Sequence, residues 1–257
     1  MSGLQHLRWQ VDGAIATVWL DRPPVNAVTQ EMYGDIIELF TSPATYLGDA
    51  RAIVLTGVGK HFCGGNDLTE FQTLSPENSP ARMKRISESF WSIYDSPLPV
   101  IAAVRGVALG TGLAIAASCD FVIAGESARF GLPEVGVGVM GGAKHASRLA
   151  PQSVVRYLHL TAEQISAAEL ARYGGVLEIV ADGEVVPRAL EVAAKMVRHS
   201  PIVLRYAKQS LNHIEYMDLK HGYEYEQSLS GELSAYSDAK EAVNAFFEDR
   251  EPQYTGM

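Results

Sequence analysis

His61-Phe-Cys-Gly-Gly-Asn-Asp-Leu68 and, further along, Arg105-Gly-Val-Ala-Leu-Gly-Thr-Gly-Leu113 decide how this chain is read. Each sets glycines just after a short apolar run and just before a helix-like stretch. Glycine lacks Cβ, so other atoms can come very close to its backbone. The first turn of a helix leaves N–H groups without intrahelical partners, and the helix dipole there favours negative charge. Two such turns facing each other would hold one developing oxyanion between two main-chain donors. A preorganised pair of this kind is often the largest single catalytic contribution, and loss of one donor costs about 3–4 kcal/mol.

Outward from these segments, Ala52-Ile-Val-Leu-Thr56 and Val100-Ile-Ala-Ala-Val104 read as continuous apolar strands. A small-residue helix to Ser118 follows the second segment, and residues 120–124 and 176–180 are further strands. Strands without polar alternation, each followed by a helix, predict an α/β body whose sheet is buried on both faces. At the N-terminus, Asp12-Gly13 between two apolar runs predicts a hairpin over residues 7–20. Residues 21–26 form a loop, because two prolines remove two donors. Thr29 reads as the N-cap of a helix to Phe40, with Met32, Ile36, Leu39 and Phe40 apolar. A helix over 77–94 is closed by Ser96-Pro-Leu-Pro99. From Pro187 the pattern turns almost wholly helical, punctuated by Pro201 and Gly222. The division is placed near residue 198, giving a core with the active site over 1–198 and a helical region over 199–257.

A chain of 257 residues with 47% apolar and 20% charged residues is ordinary for a soluble globular enzyme. The formal net charge of −9 argues against nucleic acid as a partner, since no basic stripe meets a phosphate backbone. Any attraction for an anionic substrate must then be local. Two cysteines, Cys63 and Cys119, make neither a disulfide framework nor a metal cluster. No basic stretch followed by an apolar run opens the chain, so no signal peptide is expected. The weakly polar run 100–119 contains Arg105 and suits a buried strand and helix better than a membrane span. The expectation is a reduced cytoplasmic protein with no membrane partner and no metal.

The chain resembles the crotonase superfamily, the enoyl-CoA hydratases and isomerases. The resemblance runs from Leu20-Asp-Arg-Pro-Pro-Val-Asn-Ala27 to Ala245-Phe-Phe-Glu-Asp-Arg250. Its most specific parts are Phe62-Cys-Gly-Gly-Asn-Asp-Leu68, Val104-Arg-Gly-Val-Ala-Leu-Gly-Thr-Gly112, Cys119-Asp120 and Ala128-Arg-Phe-Gly-Leu-Pro-Glu134. The resemblance implies a spiral of ββα turns with a C-terminal helical region for trimer contacts and a pocket lid, assembled as a homotrimer or a dimer of trimers. It implies an acyl-CoA thioester as substrate; coenzyme A enters as part of the substrate, and no separate cofactor is expected. The family's oxyanion donors map onto the backbone N–H groups of Asn66 and Thr111. Substrate contacts map onto Arg22, Val25, Gly64, Gly65, Asn66, Leu68, Gly110, Thr111 and Gly142.

Glu134 matches the family's acid/base glutamate in its Phe-Gly-x-Pro-Glu pattern, and burial there would raise its pKa toward neutrality. Family hydratases carry a second glutamate where this chain has Ala114. Two carboxylates hold and activate one water; a single one can still shuttle a proton between two carbons. The implied reaction is therefore double-bond isomerisation or a related lyase reaction. Hydration through a substitute second group and non-catalytic acyl-CoA binding are the alternatives. Lys144 and His145 replace small family residues, and both read as helix-surface positions, with His145 the candidate substitute. Pro24 and Thr69 stand where many relatives carry lysine, which leaves Arg22 for the phosphates. Pocket shape is expected to depend on residues 69–85 and on the C-terminal helices.

Gly136-Val-Gly-Val-Met-Gly141 fits the dinucleotide fingerprint in form. That fingerprint needs a strand directly before it, and Leu132-Pro-Glu134 disfavours one. Gly-x-Ser-x-Gly is absent, so a serine nucleophile elbow is not indicated.

Overall fold

The hairpin forms where Asp12-Gly13 predicts it. Strands β1 (Leu7–Asp12) and β2 (Ile15–Leu20) pair antiparallel with Asp12 opposite Ile15, and Gly13 turns the chain at φ +56°. This is a computed structural model, and it describes residues 3–256. Met1 and Ser2, on which the leader reading partly rests, lie outside the described residues.

Helix α1 (Gln30–Thr41) begins as expected, with Thr29 Oγ1 accepting from the Met32 N–H at 3.3 Å. Met32, Tyr33, Ile36, Leu39 and Phe40 are all buried along its inner face. The short α2 (Pro43–Leu47) leads to β3 (Ala52–Gly57), and α3 (Leu68–Phe71) follows the first glycine segment. Helix α4 (Ser79–Tyr94) starts at Ser79 rather than at residue 77, with Pro80 in its first turn, where a missing N–H costs nothing. The chain continues through β4 (Val100–Val104), β5 (Val107–Leu109), α5 (Thr111–Ser118), β6 (Phe121–Gly125) and β7 (Arg129–Gly131). A 3-10 turn over Pro133–Val137 precedes α6 (Ala143–Ala146) and α7 (Gln152–Thr161). Then come β8 (Gln164–Ser166), α8 (Ala167–Arg172), β9 (Glu178–Val180) and α9 (Val185–Met196). Helices α10 (Pro201–Ile214), α11 (Leu219–Leu233) and α12 (Ser237–Phe247) end the described chain.

Two sheets result. The larger has the order β1-β2-β3-β4-β6-β9 and is parallel from β2 onward; the smaller has the order β5-β7-β8. The chain lays β4 in the large sheet and β5 in the small one before α5, then repeats the step with β6 and β7. This double-layered winding is the expected ββα spiral.

Alternation along the parallel strands explains why they read as unbroken apolar runs. Ala52, Val54, Ile101, Ala103 and Ile123 cluster with Val185, Ala189 and Ala193 of α9. The intervening Ile53, Leu55, Val100, Ala102 and Val104 enter the main core with α1 and α5. Successive strand side chains point to opposite faces, and both faces here are covered.

The C-terminal helices are fastened to this body by a buried charge. Lys208 of α10, only 4% exposed, donates to Asp120 Oδ2 (3.0 Å) and to the carbonyls of Leu98 (3.1 Å) and Ile93 (3.2 Å). Pro201 opens α10 as expected, beside a Ser200 cap. Gly222 does not punctuate. It lies inside α11, which is capped by Asp218, whose Oδ1 accepts from the N–H groups of Lys220 and His221. A strong cap outweighs the roughly 1 kcal/mol that one interior glycine costs. Among the described residues no helix is long and apolar enough to cross a membrane.

Candidate active site

The two glycine segments lie against each other. Phe62 N–H donates to the Arg105 carbonyl (2.8 Å), Cys63 N–H to Val107 (3.0 Å), and Leu109 N–H back to Cys63 (3.0 Å). A Cβ on Gly112 would stand 2.3 Å from the Cys63 carbonyl oxygen, so this contact exists only because residue 112 is glycine.

That contact places the two candidate donors. The peptide joining Gly65 to Asn66 is held by Val28, whose N–H donates to the Gly65 carbonyl at 2.8 Å. Because the carbonyl of a trans peptide points opposite to its N–H, the Asn66 N–H is turned away from Val28. The peptide joining Gly110 to Thr111 is held by Ala114 N–H on the Gly110 carbonyl (3.0 Å), so the Thr111 N–H projects from the start of α5. Neither N–H has an acceptor among the described residues.

Glu134 sits in the 3-10 turn and is 7% exposed. Its carboxylate is wedged between two glycines: Cβ atoms at Gly110 and at Gly142 would each stand 3.2 Å from Oε1. The buried Oε2 has no hydrogen-bond partner among the described residues. Desolvation pushes its pKa up to about 7, against a smaller lowering by a backbone hydrogen bond. A carboxyl poised near neutrality, with one oxygen unpartnered, can take and return a proton.

These groups meet at the junction of two cavities. One, of about 440 Å³, is lined by Val25, Gly64, Gly65, Leu68, Gly110 and Pro133, among others. The other, of about 290 Å³, is apolar, with Leu74, Met83, Ile86, Phe90, Met140 and Gly142 on its walls. Asn66, Phe71, Thr111, Glu134 and Val139 line both. Glu134 is the one ionisable side chain among the residues lining the apolar cavity. The C-terminal helices contribute no lining residue to either cavity, whereas Phe71, Leu74 and Met83, from the expected 69–85 stretch, do.

Every site residue named from the sequence lines one of these cavities except Arg22. Its guanidinium is engaged, with Nη2 on Asp67 Oδ2 (2.5 Å) and Nη1 on the Ala27 carbonyl (3.1 Å). It stands behind Ala27 and Asp67, which line the larger cavity. Ala114 is fully buried in the main core and lines neither cavity.

His145 is not the surface residue its neighbours suggest. Its ring meets Phe90 (4.9 Å, edge-on) and Trp91 (5.4 Å) of α4, and Nε2 is buried without a partner. Desolvation first, then the nearby Arg148 cation, depresses its pKa to about 4. It lines neither cavity, and Lys144 is exposed with its ammonium 4.4 Å over the Tyr216 ring. Neither joins Glu134 on the wall of a cavity.

Tyr33 is the residue that the sequence hid. It is fully buried, and its phenol oxygen lies 2.5 Å from Asn66 Oδ1 and 2.9 Å from Thr111 Oγ1. In α1 it is one more apolar position on the inner face, and nothing local marks its hydroxyl.

The Gly136–Gly141 fingerprint is not in a dinucleotide context: β7 ends at Gly131 and a 3-10 turn follows. Among the described residues no group of three or more His, Cys, Asp or Glu side chains is arranged to hold a metal ion.

Residues 10–257 match the family model described as enoyl-CoA hydratase/isomerase. The chain belongs to that family. A hydrolase of Mycobacterium tuberculosis, (7aS)-7a-methyl-1,5-dioxo-2,3,5,6,7,7a-hexahydro-1H-indene-carboxyl-CoA hydrolase, is 35% identical over 90% of this chain and 94% of its own. The 2,3-dehydroadipyl-CoA hydratase of Escherichia coli is 34% identical over 92% of this chain and 93% of its own. The crystal structure of an enoyl-CoA hydratase from Bacillus anthracis superposes with a TM-score of 0.91 at 28% identity, covering 98% of this chain and all (100%) of that one. The two-sheet spiral is thus the crotonase fold, as the resemblance implies, and the family acts on acyl-CoA thioesters.

Proposed function

We propose that this enoyl-CoA hydratase/isomerase-family chain moves protons on an acyl-CoA thioester through an enolate, with Glu134 as its single acid/base group. One observation carries the reading: a lone carboxylate with its Oε2 unpartnered lies between Gly110 and Gly142 at the junction of the two cavities, and the position of a second carboxylate is filled by buried Ala114. The larger cavity receives the coenzyme A arm and the apolar one the acyl group.

The favoured reaction is double-bond isomerisation. Glu134, ionised, takes a proton from the α-carbon of a 3-enoyl thioester. The electron pair moves onto the thioester oxygen, where the N–H groups of Asn66 and Thr111 stabilise it. The enolate collapses as Glu134 returns the proton to the γ-carbon, leaving a 2-enoyl thioester. Every step uses one carboxyl group and no water.

A second reading comes from the relatives. The 35% identity to a hydrolase of a dioxo carboxyl-CoA motivates a hydrolytic reading, in which a β-keto thioester is the substrate. Water would add to the β-carbonyl, giving a proton to Glu134, and the bond between α- and β-carbons would break to release the β-carbon as a carboxylic acid. The electron pair of that bond would become the same thioester enolate, which Glu134 would protonate at the α-carbon. Hydration of a simple 2-enoyl thioester is expected to be slow, because Lys144 and His145 line neither cavity.

The test is a panel of saturated, 2-enoyl, 3-enoyl and β-keto thioesters given to the purified protein and to a Glu134→Gln variant. Turnover of 3-enoyl or β-keto thioesters that Glu134→Gln abolishes supports the enolate reading. Rapid hydration of crotonyl-CoA overturns the single-carboxylate reading. Absence of α- or γ-deuterium exchange with every thioester would leave a binding protein without catalysis.

The same reading includes a cytoplasmic protein that needs no cofactor and assembles as a homotrimer or a dimer of trimers through residues 199–257. Val243, Phe246 and Phe247, all more than half exposed on α12, support it as an apolar surface awaiting a second copy.

A further inference from the structure

Both candidate donors sit on peptides preceded by glycine, Gly65 at φ +110° and Gly110 at φ +53°. Gly65 permits the close approach of the two segments and Gly110 that of the Glu134 carboxylate, but they also leave each donor-bearing peptide next to the softest residue type in the chain. The main-chain bond from Ala114 holds one peptide within α5, and that from Val28 holds the other against the stretch leading into α1. Tyr33 is the side chain that touches both donor residues at once. Resting on the enolate reading above, we infer that Tyr33 is a positioning residue that sets the spacing of the two donors through a Thr111–Tyr33–Asn66 hydrogen-bond chain.

The direction of the chain follows from proton counting. A phenol has one proton to give. The carboxamide oxygen of Asn66 can only accept, so the Tyr33 proton goes to Oδ1 at 2.5 Å. The Thr111 hydroxyl, 2.9 Å away, must then donate to the phenol oxygen. Burial pushes the phenol pKa far above its ordinary value, so the proton is present throughout the working range. The ring is braced edge-on by Phe90 at 6.3 Å, and α1 beneath it is capped by Thr29. The linkage therefore runs from a rigid helix to both donor residues and replaces the stiffness that the glycines give away.

The probe is butyryl-CoA carrying ¹³C at its carbonyl. Two readouts are followed: the infrared stretch of the bound carbonyl, which reports donor geometry, and α-deuterium exchange, which reports turnover of the enolate. Wild type is expected to lower the stretch relative to free thioester. Glu134→Gln should keep that lowering while losing exchange. Tyr33→Phe should move the stretch back toward the free value and slow exchange about tenfold, a loosening rather than a loss of one donor. Its Kd for butyryl-CoA should stay within about threefold. Thr111→Val cuts the chain at its other end and should give the same two changes, whereas Thr111→Ser should restore both. The Tyr33→Phe/Thr111→Val pair should be no worse than either alone, because one chain is broken once or twice with the same result.

Should Tyr33→Phe fail to fold, Thr111→Val against Thr111→Ser decides the matter. An unchanged stretch and exchange rate in Tyr33→Phe or Thr111→Val would overturn the positioning role while leaving the enolate reading intact. A wild type that does not shift the carbonyl at all would overturn the enolate reading itself.

Discussion

Gly110 and the Glu134 carboxylate are in contact: a Cβ added at residue 110 would meet Oε1 at 3.2 Å. The residue that hinges one donor thus also walls the acid/base group, and both requirements fall on a position with φ +53° and ψ −117°. Gly110→Ala is expected to lower stability by about 1–3 kcal/mol through backbone strain. It should also reduce turnover at least tenfold by displacing the carboxylate. Thermal melting and steady-state kinetics on whichever thioester proves active check the two effects. Wild-type activity in the variant would show that Glu134 does not need this wall.

The raised pKa of Glu134 makes two opposite statements about pH. As a base it must be ionised, so kcat/KM should rise with pH and level off above about 7. For stability, the folded protein holds this proton between the ordinary carboxylate pKa and about 7, whereas the unfolded chain has already lost it. Its contribution is therefore largest at low pH and declines as pH climbs through that window. Glu134→Gln, which cannot ionise, should flatten this decline in Tm. A wild-type and variant difference independent of pH between 4.5 and 7 would count against a raised pKa.

The Lys208–Asp120 pair should behave as a clamp. Lys208→Met keeps the length of the side chain but leaves Asp120 Oδ2 and two carbonyls without their cation. Removing one partner of a buried pair costs about 3–5 kcal/mol, and the partial exposure of Asp120 places this case at the low end. Denaturant unfolding measures it, and a loss under about 1 kcal/mol would show that water replaces the ammonium.

The apolar cavity, about 290 Å³, should set acyl size. Met83→Trp fills part of it from α4, an element that carries none of Asn66, Thr111 and Glu134. Butyryl-sized thioesters should retain kcat/KM within about threefold, while longer chains lose about 0.8 kcal/mol for each methylene that no longer fits. Equal losses for short and long thioesters would place the acyl group elsewhere.

Most of the body was legible because its signals are local. Continuous apolar runs mark β3 and β4, Asp12-Gly13 marks the hairpin, and Thr29 marks the start of α1. The glycines of the two segments were readable as points of close approach, and Gly112 against the Cys63 carbonyl bears that out. The three-residue strands β5, β7 and β8 were not foreseen, since three residues carry no periodicity. Gly222 misled because a local breaker was outweighed by the Asp218 cap. His145 misled because the aromatic rings that enclose it come from α4, outside any local window. Tyr33 stayed hidden for the same reason: its hydroxyl acquires meaning only when residues 66 and 111 arrive beside it.

The two cavities share Asn66, Phe71, Thr111, Glu134 and Val139 as a waist, and the rest of their walls come from different residues. Residues that grip a constant handle, those that break and make bonds, and those that measure the cargo can therefore change on separate schedules. An engineer who wished to retarget this scaffold would begin with α4 and the turn around Met140, leaving the waist as found.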